Sequence, residues 1–142
     1  MAVEIKRAYD EPSRGDGARV LVDRLWPRGL SKQAARIDRW LKNLAPSTKL
    51  RQWFHENGNW PLFKKRYFNE LRTGEASAEL EELYRLLGSH ARVTLIYSSR
   101  NLEQNNAVAL RELLNGMKKP PSSSGPAGAA AASGRIAKRR PS

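Results

Sequence analysis

Arg19-Val20-Leu21-Val22-Asp23-Arg24-Leu25-Trp26-Pro27-Arg28-Gly29 is the stretch on which the fold turns. Its V-L-V opening is the signature of a strand buried on both faces, and such strands belong to parallel sheets covered by helices. The strand is read as Arg19–Trp26, broken sharply by Pro27-Arg28-Gly29. Asp23 and Arg24 bring charge into it. An unpaired buried charge costs several kcal/mol, comparable to the whole stability margin of a domain, so the two must meet partners, solvent or a ligand. They stand at the C-terminal end of the strand, where open α/β sheets form their ligand crevices. Arg28 sits at the same edge in a loop braced by proline and glycine. The structural alternative is an internal ion pair that fixes the loop.

Working outward, Val3–Tyr9 alternates apolar and charged residues with period two and reads as a first strand. Asp10–Gly17 is a turn-rich loop. Leu30–Ala45 admits two readings. Ile37, Trp40, Leu41 and Leu44 recur at helical spacing behind a Ser31 cap, yet Asp38-Trp40-Lys42-Leu44 also permits a strand; helix is the expectation, with residues 36–45 left open between the two. Ser47 is an N-cap for a helix over Thr48–His55, and Asn57-Gly58-Asn59 is a turn. Trp60–Arg72 is an amphipathic helix with Trp60, Phe63, Tyr67 and Leu71 inward and Pro61 in its first turn. Gly74 stops it. Ser77–Leu87 is the next helix, capped by Ser77 and stopped by Gly88. Arg92–Ser98 is the second strong strand, and Asn105–Asn115 the closing helix, ended by Gly116. Strands separated by helices predict an α/β domain, a small mainly parallel sheet with helices packed over it.

The chain has 142 residues, enough for one domain, expected over 1–117. Residues 118–142 are Pro/Ser/Gly/Ala-rich with a basic end and almost no large apolar side chain, the composition of a disordered tail. Lys and Arg number 26 against 14 Asp and Glu, for a net charge of +12. A basic balance of this size favours polyanions, nucleic acid included, or anionic small molecules; the bland alternative is a solvated basic surface. There is no cysteine, hence no disulfide and no thiol nucleophile. His55 and His90 are the only histidines, and neither has a second strong ligand at metal-site spacing, so no metal and no cofactor is expected. No apolar run reaches membrane-span length, and MAVEIKRAYDEP lacks a signal peptide's apolar stretch. The expectation is a cytoplasmic protein with no membrane partner, its oligomeric state left open.

RVLVDRLWPRG at 19–29, with LKNLAPSTKLRQWF at 41–54 and VTLIYSSRNLEQNNAVAL at 93–110, closely resembles the YeaO-like family, a bacterial domain of unknown function. The likeness runs from about Val3 to Leu114. It implies an α/β fold and places the family's motif residues at Arg7, Asp23, Arg24, Trp26, Pro27, Arg28, Gly29, Trp53, Asn105 and Ala107. It implies no activity, because the family has none established. The family often has His before the asparagine, where this chain has Gln104, which counts against any mechanism needing a histidine base there.

The candidate ligand-binding residues are Arg7, Arg24, Trp26, Arg28, Tyr97 and Asn105. The arginines would meet phosphate or carboxylate, and Trp26 could stack on a ring. The hydroxyls of Tyr97-Ser98-Ser99 could meet an anion at the following helix N-terminus, although such groups more often cap and turn the chain. Asn105 is most simply an N-cap, and His55 a helix-end residue. Asp23 is the acid considered for general acid/base catalysis. Three readings follow: a binding module for an anionic ligand or nucleic acid; a small enzyme on a phosphorylated or nucleotide-like substrate with Asp23 as acid/base; and a purely structural motif in an interaction protein. Binding ranks first, because a lone acid without His, Cys or metal is a thin catalytic set.

Overall fold

Strand β1 (Ala2–Arg7) leads through a 3-10 turn (Arg14–Asp16) into β2 (Ala18–Leu21) in a computed structural model that describes residues 2–116. There follow α1 (Lys32–Ala35), β3 (Arg39–Trp40), a 3-10 turn (Lys42–Leu44), α2 (Thr48–Asn57), α3 (Trp60–Glu70), α4 (Gly74–Ser89), β4 (Arg92–Tyr97) and α5 (Asn106–Asn115). The four strands form an all-parallel sheet in the order β1-β4-β2-β3. The α/β expectation therefore holds. The disordered tail expected over 118–142 lies outside the described residues.

Alternation along the strands sorts the core into two. Val20, Val22, Leu95 and Tyr97 face Leu50, Phe63, Tyr67, Leu83 and Leu110, which α2 to α5 supply. On the opposite face Ala8, Leu21 and Ile96 are covered by Trp26, Leu30 and Ile37 from the loops between β2 and β3.

The same alternation buries Arg19 and Thr94, both under 4 % exposed, and each is answered by Asp16. Arg19 Nη1 donates to the Asp16 carboxylate at 2.6 Å, and Thr94 Oγ1 donates to the Asp16 carbonyl at 2.6 Å. Arg19 also donates to the carbonyls of Ala35 and Arg36, so one guanidinium ties the 3-10 turn to the end of α1. Lys6 reaches the same carboxylate at 3.0 Å from β1. Burial alone would raise the Asp16 carboxyl, but hydrogen bonds from Ser13, Lys6 and Arg19 outweigh it and hold the group at about 2. Gly17 makes the turn possible. Its φ is +65°, and a Cβ there would stand 2.1 Å from the Arg92 carbonyl oxygen.

Several boundaries differ from the sequence reading. β2 ends at Leu21 rather than Trp26; Val22 N–H still donates to Ile96 O at 3.0 Å, and Asp23 and Arg24 lie in the bend beyond. Residues 30–45 are neither one helix nor one strand. Ser31 caps only the four-residue α1, and Arg39–Trp40 then pairs with Val20–Leu21. Ser77 is not a cap, since α4 starts at Gly74 behind Thr73, and Gly88 does not stop α4, which runs to Ser89. The Ser47 cap on α2 and the Asn105 cap on α5 are as expected, the latter accepting from Val108 N at 2.9 Å.

Candidate functional site

The C-terminal ends of β1, β2 and β4 converge at one edge of the sheet; Arg7 ends β1, and Asp23, Arg24, Trp26, Arg28 and Asn105 sit on the segments leaving β2 and β4, whereas Trp53 lies in α2. Asp23 turns toward β4 and α5. One carboxylate oxygen accepts from Ser98 N at 2.8 Å, the other from Asn106 Nδ2 at 3.1 Å, and Asn106 also donates to the Val22 carbonyl. Burial raises the Asp23 carboxyl above its usual range, opposed in part by Asn106, Ser98 and the charge of Arg51. Burial foremost, then the charges of Asp23 and Glu70, raise the Tyr67 phenol, whose hydroxyl donates to Leu44 O at 2.5 Å. Asp23, Tyr67 and the chain at Leu44 thus form one polar core under the starts of α2 and α5.

Arg24 points the other way. Its Nη2 donates to the Ala45 carbonyl at 3.1 Å and reaches Pro46 O at 3.5 Å, bracing the entry to α2. Its Nε is buried with no hydrogen-bond partner. The Ser98 hydroxyl lies against the Asp23 carboxylate and helps to hold it down. The ion pairs among the described residues join Lys6 and Arg19 to Asp16, Arg39 to Glu82, and Lys64 to Glu112; Arg24 and Arg28 belong to none. An internal Asp23–Arg24 pair, the structural alternative, is therefore not formed. Adjacent residues in a bend diverge, and each finds backbone instead.

Arg7 grips the loop after β4, donating from Nε to Ser99 O at 3.0 Å and from Nη2 to Ser98 O at 2.9 Å. Tyr97, its register partner, is 3 % exposed, and burial raises its phenol. Arg28 is exposed, and its loop is pinned where Tyr9 donates to the Arg28 carbonyl at 2.9 Å. Trp26 donates to Leu30 O and meets Trp40 edge-on at 5.6 Å, so its ring is committed to covering the sheet. Trp40 in turn donates to the Asp23 carbonyl at 2.8 Å. Asn105 Nδ2 donates to Asn101 O, and its oxygen caps α5.

The structure thus brings Arg7, Asp23, Tyr97 and Asn105 to one edge with most of their polar atoms already bonded. Arg24 and Arg28 retain unused donors or open exposure. Asn106 and Arg51, which sequence reasoning passed over, share the site with Asp23. Asn106 carried a signal, standing first in a helix that starts beside the parallel strand ends; Arg51 carried none, since its α2 spacing reads as solvent-facing. Among the described residues no group of three or more histidine or acidic side chains is placed to hold a metal ion, and no helix is long and apolar enough to cross a membrane.

A family model described as an inactive DUF488-N3 subclade matches residues 2–131. The uncharacterised protein YeaO of Escherichia coli (strain K12) is 39 % identical over 121 residues, spanning 82 % of this chain and all of YeaO. Uncharacterised proteins of Mycobacterium bovis and Mycobacterium tuberculosis are each 39 % identical over 115 residues, covering 80 % of this chain and 94 % of theirs. No solved structure matches.

Proposed function

The chain belongs to the YeaO-like family, the inactive DUF488-N3 subclade, and from that premise we propose a non-catalytic binding protein for an anionic, phosphate-bearing ligand at the C-terminal edge of the sheet. Arg24 carries this reading: a part-buried guanidinium with an unpartnered Nε and no acid opposite it. Its charge has no carboxylate to offset it, which an anion at this edge would supply. Exposed Arg28 supplies a planar fork for two oxygens at the same edge. Arg7, Trp26, Tyr97 and Asn105 hold the loops that frame the site. The cysteine-free composition suits the cytoplasm.

The competing reading makes Asp23 the general acid/base of an enzyme on a nucleotide-like substrate. Its raised carboxyl suits that role, but both its oxygens already hold structural donors, and the family description favours binding over turnover. The deciding experiment is a thermal-shift and calorimetry series with inorganic phosphate, pyrophosphate and nucleotides. A phosphate-bearing compound should raise the melting temperature. Arg28→Ala should leave the unliganded melt unchanged and abolish the rise, and Arg28→Lys should restore it only in part. If no phosphate compound shifts the melt, or if Arg28→Ala unfolds the protein while folded molecules still bind, the reading fails.

A further inference from the structure

Charge is segregated along the helical layer. Residues 48–72, spanning α2 and α3, hold six Lys and Arg against two acids, whereas residues 74–89 of α4 hold four acids against Arg85 alone. Between α2 and α3 lies an open groove of about 470 Å³ lined by Ser47, Lys49, Leu50, Trp53, Arg66 and Glu70. Its walls are mainly apolar, with cations at the rim. The acid in it is engaged: the Glu70 carboxylate accepts from Ser47 N at 2.9 Å and from Ser47 Oγ at 2.6 Å, and it serves the start of α2. The half-buried Trp53 ring carries the Arg66 guanidinium 4.3 Å from its centroid.

We propose that this groove binds single-stranded nucleic acid, with one base stacked in the Trp53–Arg66 recess and the neighbouring phosphates on Lys49 and the exposed cations of α3. An aromatic ring with a stacked guanidinium in an apolar recess takes a planar base, whatever its sequence. Cations on α2 and α3, with the acids gathered on α4, direct a polyanion to the α2–α3 part of the helical layer and away from α4. Duplex fits poorly, because its bases are stacked on one another and unavailable to the groove. The surface uses none of the residues assigned to the phosphate site at the strand ends, so either can fail without the other.

The test is fluorescence anisotropy of labelled oligothymidylate and oligouridylate with the full chain at two salt concentrations, comparing three variants whose melts are recorded alongside. Reversing the two groove cations together, Lys49→Glu with Arg66→Glu, should weaken binding at least tenfold at low salt and flatten the salt dependence. Trp53→Leu keeps the lining apolar and should weaken binding about tenfold with the salt dependence unchanged. Arg85→Glu, the same charge reversal on exposed α4, should stay within about twofold. The proposal is overturned if the wild type does not bind, if the groove pair costs no more than Arg85→Glu, if folded Trp53→Leu binds as wild type, or if duplex DNA binds as tightly as single strands. The first cost pattern would assign binding to general charge, and the last two would remove the stacked base.

Discussion

Replacing Asp16 with asparagine would remove the counter-charge of a guanidinium that is 3 % exposed, and the structure sets the scale of the loss. The carboxyl is held at about 2 against an ordinary 3.8, a displacement of nearly two pH units. At about 1.4 kcal/mol per unit, the ionised form is worth roughly 2–3 kcal/mol to the fold. Stripping one partner from a buried pair costs about 3–5 kcal/mol in general. Arg19 keeps the Ala35 and Arg36 carbonyls, so we expect the lower end, about 3 kcal/mol. Urea unfolding at neutral pH measures this directly. The acid limb supplies a second reading. Because the folded carboxyl is depressed, its contribution is complete above 3.8 and is lost as pH falls toward 2. Asp16→Asn should therefore show a shallower decline than wild type across that window. A neutral-pH loss under about 1 kcal/mol, or parallel acid limbs for the two proteins, would refute the assignment of Asp16 as the anchor of this face.

Asp23 should behave with the opposite sign. Burial raises its carboxyl, so its contribution is complete below 3.8 and declines as pH rises; in urea melts, Asp23→Asn should be more destabilising near pH 4 than at pH 7. Gly17→Ala should cost more than about 3 kcal/mol or prevent soluble expression, since the added methyl meets backbone, whereas Gly58→Ala, in open space at similar φ, should cost about 1 kcal/mol by thermal melt. Asn106→Ala removes bonds to Val22 and Asp23 and should lower stability by about 1–3 kcal/mol in the same assay.

The parallel α/β class was legible because V-L-V at 20–22 is a continuous apolar run and V-T-L-I at 93–96 is interrupted only by Thr94, as central strands covered on both faces require. The caps at Ser47 and Asn105 were legible because capping is a local interaction. Residues 36–45 were not. Ile37 packs with Leu21 on one face of the sheet while Leu41 and Leu44 join the core on the other, so their helical spacing is coincidental. Pairing with the edge of β2, invisible in the local sequence, decides the two-residue β3. Gly88 misled because an exposed glycine near a helix end costs only about 1 kcal/mol, which the buried Leu87 beside it offsets. At the candidate site, the sequence showed that Asp23 and Arg24 needed partners but not that they would part, because side-chain direction beyond β2 depends on where its ladder ends. The Asp16–Arg19–Thr94 network was missed altogether. Arg19 opened the decisive motif, yet its partner lay in a loop read only for its turns.

β4 hydrogen-bonds to both β1 and β2, with Ala2 opposite Arg92 and Ala18 opposite Val93. During synthesis, β1 therefore has no neighbour to pair with, and β2 only the two-residue β3, until the ribosome has added Tyr97. At about 5–20 residues per second, these first strands wait several seconds with unpaired edges. Closing a loop of this length forfeits chain entropy before any sheet contact repays it, which makes assembly slow and late. The charged residues on β1, Glu4, Lys6 and Arg7, stand in the segment exposed longest, where charge discourages strands of neighbouring nascent chains from pairing.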